Sequence, residues 1–155
     1  MQFAQTTKIV KLYQGAANAV DCDVVSMKHF HSGAFVVIHT GSADTDLVLT
    51  VKEATSVAAG TNQTVANDVA IYIDTDMGTS SDTLVATTAA KTYTIDTGAA
   101  PNQMVVFEID PRALSDGYDC VYLGDSGGNA SNTCTIFFLG QPRYSGETLD
   151  SAIVD

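Results

Sequence analysis

Two apolar runs joined by a short capped link constrain this chain more than any other feature. Met104–Ile109 and Tyr118–Leu123 are separated by Asp110-Pro111-Arg112-Ala113-Leu114-Ser115-Asp116-Gly117. Asp110 is a good capping residue, Pro111 has the fixed φ that suits the first helical position, and Gly117 supplies a left-handed exit. The stretch reads as strand, one helical turn, strand. Strands joined so tightly are expected to lie near each other and to nucleate a sheet.

The rest of the chain repeats the theme. Helix-period patterns are nearly missing and threonine is frequent. Strand candidates are Lys8–Tyr13, Ala19–Phe30 (interrupted or bulged), Ala34–His39, Asp46–Glu53, Val69–Asp74, Thr83–Thr87, Lys91–Asp96, Met104–Ile109, Tyr118–Leu123 and Thr133–Leu139. They are rich in Val, Ile, Thr, Tyr and Phe, which fit a pleated surface. Turn residues separate them, among them Ser32-Gly33, Gly41-Ser42, Gly60-Thr61-Asn62, Met77-Gly78 and Gly127-Gly128-Asn129. About ten short strands at intervals near ten residues predict an all-β fold, a two-sheet β-sandwich or jelly-roll-like domain, with one helical turn near 111–116. Ala54–Thr61 is the best candidate for a further helix or a long loop.

Phe35-Val36-Val37-Ile38 and Ile136-Phe137-Phe138-Leu139 are apolar at every position. A solvated sheet face alternates, so these strands are expected to be central in a sheet or covered on their outer side. With 155 residues the chain is read as one domain. It carries two arms that lack a core-forming period, 1–7 and 141–155. Both arms hold apolar residues, namely Phe3 and then Leu149, Ile153 and Val154.

The charge balance bears on partners. Eighteen acidic residues against seven basic ones give a net charge of −11. A cationic footprint for phosphate backbones is absent, so nucleic acid is not an expected partner, and neither is an anionic membrane surface. No apolar run approaches the roughly 18 residues that span a bilayer. The N-terminus has no basic lead and no apolar core of a secretory signal, so folding is expected in the cytoplasm. Cys22, Cys120 and Cys134 are odd in number and widely spaced, which favours buried thiols over a disulfide framework or zinc site. The spacing leaves one Cys120–Cys134 bridge open.

The candidate chemical sites are sparse. His29 and His31 would share one strand face, but only His39 and the Asp21/Asp23 pair could complete a metal site, and neither has a fixed relation to them. Asp74–Asp82 starts like a calcium loop, yet Gly78 falls at position five and Val85 at position twelve, where an EF-hand needs glycine at six and Glu at twelve. Ser126-Gly127-Gly128 lacks the flanking pattern of a nucleophile elbow, and no spacing rule supplies a histidine. No catalytic residues, metal or cofactor are therefore expected. A carbohydrate-binding module is the main rival reading. With no Trp, its platform would fall to Tyr118, Tyr122 and Tyr144.

Three elements together resemble a known family. They are Phe107–Leu114, the strand Gly117-Tyr118-Asp119-Cys120-Val121, and the ending from Pro142-Arg143-Tyr144 to Ser151-Ala152-Ile153-Val154-Asp155. Lys8–Leu12, Val24–Lys28 and Phe35–Ile38 extend the likeness over most of the chain. The chain resembles small structural proteins of tailed bacteriophages that are encoded among the head genes. The resemblance implies a non-enzymatic capsid decoration (cement) protein, with tail and neck roles as alternatives. It would be made in the host cytoplasm and bound to the virion surface, with the major capsid protein and copies of itself as partners. The capsid or subunit contacts would then fall on Phe3, Arg143, Tyr144, Leu149, Ile153 and Val154.

Overall fold

The computed structural model describes residues 3–79, 82–144 and 149–154. Parts of both expected arms (1–2, 145–148 and 155), and Ser80 and Ser81 of the Asp-rich loop, lie outside the described residues. A helical turn α1 (Phe3–Thr6) is followed by eleven strands: β1 (Lys8–Ala16), β2 (Val25–Ser26), β3 (Phe30–Thr40), β4 (Leu47–Ala54), β5 (Asn62–Thr64), β6 (Ala70–Asp74), β7 (Val85–Ala86), β8 (Thr92–Ile95), β9 (Gln103–Ile109), β10 (Cys120–Gly127) and β11 (Thr133–Pro142). A 3-10 turn at Pro111–Ala113 links β9 to β10. The strands form two antiparallel sheets, so the protein is an all-β sandwich. One sheet has the order β1-β11-β3-β9-β6-β7; the other runs β2-β10-β4-β5, with β8 also on β4.

Alternation decides the interior. On β3 the side chains of Phe35, Val37 and His39 are fully buried while Val36 and Ile38 are half-buried, and on β11 Ile136 and Phe138 are buried while Phe137 and Leu139 are not. The buried rows of both sheets, with Leu47, Leu49, Val51, Val121 and Leu123 from the second, make one hydrophobic cluster. As the doubly apolar runs predict, β3 and β11 are interior strands of the six-stranded sheet.

Phe138 holds the register between them. Its ring meets Phe30 at 5.4 Å and Phe35 at 5.8 Å, both edge to face, a favoured aromatic geometry. Gly33 and Gly140 are partners across the β3–β11 ladder. A methyl group on Gly33 would run into the Phe138 ring, and one on Gly140 would lie 2.6 Å from both Phe138 and Phe30. The missing side chains are therefore the space into which the rings pack.

Three sequence expectations need correction. Met104–Gly124 does not nucleate a single sheet: β9 belongs to the six-stranded sheet and β10 to the other. The 3-10 turn carries the chain across the end of the sandwich, so Val105 and Phe107 share one core with Val121 and Leu123 from the opposite side. The local chemistry of the link is as expected. The Asp110 carboxylate accepts from the Arg112 backbone N–H at 2.9 Å, and Gly117 has φ +82°. Secondly, of Ala19–Phe30 only Val25–Ser26 joins a sheet before β3 begins. The rest crosses from β1 to the second sheet and buries Val20, Cys22 and Val24 on the way, which satisfies their hydrophobicity without strand pairing. Thirdly, Asn62, expected to close the Gly60-Thr61-Asn62 turn, instead opens a short strand, Asn62–Thr64, on β4.

Cys120 and Cys134 sit in opposite sheets, and all three cysteines are buried thiols outside any disulfide. Burial pushes the Cys22 and Cys134 thiols up to about 12, so neither forms a reactive thiolate near neutral pH.

One carboxylate fastens the crossover. Glu53 of β4 is fully buried. It accepts from Gln63 Nε2 at 2.7 Å and from the Ser115 backbone N–H at 2.9 Å. Burial by itself would raise its pKa, but the bonds from Ser115 and Gln63 outweigh that and hold it below the ordinary value. A depressed carboxylate stabilises the fold above its unfolded pKa, and that contribution is lost as pH falls through the folded value.

Two outcomes follow. Gly140→Ala should destabilise the protein by about 1–3 kcal/mol through overpacking, read as a lower urea midpoint. In wild type, stability should decline as pH drops below about 4.3, the unfolded glutamate value, and Glu53→Gln should show a shallower decline in the same titration.

Candidate functional site

β1 and β11 place both terminal segments at one end of the sandwich. Lys8 pairs with Gly140 at the start of β1, so α1 projects from this end. The chain beyond β11 returns here too: the Arg143 backbone N–H donates to His29 O at 2.8 Å and its Nε to Phe30 O at 3.1 Å. Further on, the Ser26 N–H donates to Ala152 O at 2.7 Å and Lys8 Nζ to Leu149 O at 3.3 Å.

The tail thus contributes to the body of the protein. Ala152 is 1 % exposed and belongs to the main core cluster, although the sequence gives this arm no core-forming period. Its neighbours behave differently. Tyr144 is 82 % exposed, Val154 64 % and Phe3 63 %, and Ile153 is also exposed. Leu149 is half-buried and Arg143 is tied to the β3 backbone. The terminal end therefore gathers all six residues expected to make contacts, four of them as exposed large apolar side chains.

The opposite end differs in charge. Its loops carry Asp44, Asp46, Asp76 and Asp96, and no Lys or Arg lies in 41–46, 75–79 or 96–102. Two of these carboxylates and the neighbouring Asp74 are engaged by the backbone: Asp46 accepts from Thr97 N at 3.1 Å, Asp96 from Ala99 N at 3.0 Å, and Asp74 from Asp76 N at 2.9 Å. They act as turn caps. Among the described residues no group of three or more His, Cys, Asp or Glu is placed to hold a metal ion. The histidines are dispersed. His29 and His31 are exposed at the terminal end, while His39 is buried near the other end with Nδ1 2.8 Å from Pro101 O.

The outer face of the six-stranded sheet is the second feature. Register aligns Lys11, Phe137, Val36, Val106 and Tyr72 in one row across five strands. The row nearer the terminal end is Ile9, Leu139, Ala34, Glu108 and Ala70, and the row on the other side includes Thr135, Ile38 and Met104. The apolar members are half-buried or exposed, with Ile9 at 51 %. At the terminal end of this face lies a groove of about 710 Å³ between α1 and the 3-10 turn, floored by Ala34, Ala70, Gly33 and Gly140. The sequence shows two doubly apolar strands. The five-strand face became visible only with the register.

A smaller cleft of about 260 Å³ lies between Met27, Leu114, Tyr118 and Arg143. Of the other tyrosines proposed as a sugar platform, Tyr122 packs against the core and donates its hydroxyl to Asn62 at 3.0 Å. Tyr144 is the most exposed of the three.

No protein-family model matches the chain, and no curated protein matches it. Among solved structures, the chain is similar to the SPBc2 prophage-derived protein YomS, with a TM-score of 0.49 and 10 % identity over 86 % of this chain and 91 % of that one. At that level of likeness no function passes from one chain to the other. Among the described residues no helix is long and apolar enough to cross a membrane.

The two kinds of tail residue should separate on mutation. Ala152→Asp places an unpaired charge in the core and should cost roughly 3–5 kcal/mol. At about 2–4 °C per kcal/mol, this lowers the melting temperature by roughly 6–20 °C. Val154→Asp should leave it unchanged within about 2 °C. Both are read by thermal unfolding.

Proposed function

We propose that this protein is a non-enzymatic structural component of a tailed-phage particle, a decoration protein that binds the outside of the capsid and stabilises it. The reading is supported by one observation above others. Of the seven large hydrophobic side chains that stand exposed among the described residues, Phe3, Tyr144, Ile153 and Val154 belong to the two terminal segments, which meet at one end of the sandwich. The loops at the opposite end carry Asp44, Asp46, Asp76 and Asp96 with no Lys or Arg in 41–46, 75–79 or 96–102, and Leu84 and Val85 are the exposed large hydrophobic side chains on that side. A body that carries four of its seven exposed large hydrophobic side chains on its terminal segments, with carboxylate loops free of Lys and Arg at the far end, suits a protein that attaches by the terminal end and keeps the other in solvent. The resemblance of Phe107–Leu114, Gly117–Val121 and the C-terminal segment to phage head proteins points to the capsid as that surface.

The work required of such a protein is thermodynamic. A ligand that binds only the assembled shell stabilises it by RT ln(1 + [L]/Kd), about 2.7 kcal/mol per site at a hundredfold excess over Kd. Exposed side chains at the tip can supply this, at ~1.5–3 kcal/mol for each large apolar group buried. None of them is needed for the sandwich itself.

The test uses expanded phage heads from a host strain whose phage lacks this gene. Added protein should co-sediment with the heads and raise the temperature at which they release DNA. The double variant Tyr144→Ala/Val154→Ala should keep the melting temperature of the free protein and bind heads at least about tenfold more weakly, since each truncation removes 1 kcal/mol or more of buried contact. Failure of the wild-type protein to bind heads would overturn the reading.

A further inference from the structure

We infer that the outer face of the six-stranded sheet is a self-association surface, on which two copies of this chain pack face to face about a two-fold axis running along β3. This goes beyond the capsid reading and does not depend on it; the two share Phe3 alone, and the capsid test rests on Tyr144 and Val154.

The first argument is the area. The face spans five strands, from Ile9 on β1 to Ala70 on β6, and three side-chain rows. With strands about 4.8 Å apart and rows about 6.8 Å apart, it covers roughly 24 by 20 Å. Two copies would bury about 1,000 Å² in total, the size at which a specific interface becomes credible. The centre of the face is Val36, Ile38, Phe137, Val106 and Met104, and a contiguous apolar patch of this extent is unusual on a solvated surface.

Shape selects the axis. Phe3 lines the groove from α1, which leads directly into the edge strand β1; the lining also includes Ala34, Ala70 and Glu108 on β3, β6 and β9. Rotation about β3 lays the β1 side of one copy over the β6 side of the other without exchanging the sandwich ends. Each Phe3, 63 % exposed in the single chain, then arrives over the small-residue floor of its partner's groove. An axis across the strands would send it to the wrong end.

Charge favours the same axis. The face holds one cation, Lys11 on β1, and one exposed carboxylate, Glu108 on β9, on opposite sides of β3 and one row apart; Asp74 on β6 is buried and occupied by the Asp76 backbone N–H. The same rotation brings Lys11 of each copy within side-chain reach of the other's Glu108, and the symmetry makes the contact twice. Sheets that pack face to face are about 10 Å apart, which two such side chains bridge.

Sedimentation equilibrium of the full chain, without particles, tests this directly. Wild type should show a dimer of twice 16.2 kDa at concentrations of tens of micromolar or above. Lys11→Glu and Glu108→Lys should each weaken the dimer at least about tenfold, and the double exchange should restore it to within about threefold of wild type. Phe3→Ala should weaken it while leaving the far-UV circular dichroism unchanged. A wild-type chain that stays monomeric, with the face left to some other protein, would overturn the inference. So would charge reversals without effect, or a double exchange that fails to restore the dimer. Particle binding is measured separately, so either result can fail while the other holds.

Discussion

The packing of Phe138 into the gap left by Gly33 and Gly140 is the contact on which the rest depends. A sheet with side chains of period two has two possible registers for each strand pair, and a slip of one residue exchanges its faces. In most strands the hydrophobic pattern makes that choice. In Phe35–Ile38 and Ile136–Leu139 it cannot, because either set of residues could go inside. The glycine pair opposite each other on β3 and β11 leaves room for aromatic rings on one face alone, and Phe30, Phe35 and Phe138 fill it edge to face. The register so chosen commits Val36, Ile38 and Phe137 to the outside.

The second constraint is that two sheets must be built from one chain with few crossings. The 3-10 turn after β9 is one of them, and its ends are fastened differently. Asp110 caps the turn and pairs with Arg112 at 2.7 Å in a solvent-exposed setting, which sets local geometry and adds little energy. Glu53 binds the far side of the link from within the core, where leaving the Ser115 N–H unpaired would cost about 1–3 kcal/mol. The buried carboxylate is therefore a structural tie between β4 and the crossover, although an isolated acid in a core can look like a catalytic group.

Much of the candidate site could be read in advance, for an understandable reason. Residues that lack a core-forming period and yet are apolar, such as Phe3, Ile153 and Val154, have no evident place in a sandwich, and the structure leaves them exposed. Ala152 was not distinguishable from them. A single small residue carries no periodic signal, and its burial follows from where the returning chain meets Ser26. The groove and the five-strand face were likewise hidden, because each is assembled from strands far apart in sequence.

Local chemistry in the sequence determined the strand-rich character of the chain, most strand positions, the capped turn at Asp110–Ala113 and the left-handed Gly117. Each of these depends on residues within one turn or one strand of each other. Tertiary structure decided which strands are partners, that Met104–Ile109 and Cys120–Gly127 fall in different sheets, that Ala19–Val24 crosses an edge instead of pairing, and that Cys120 and Cys134 lie apart. Those outcomes turn on burying two apolar faces against each other at once. That is a competition among all the strands together, and no short segment contains it.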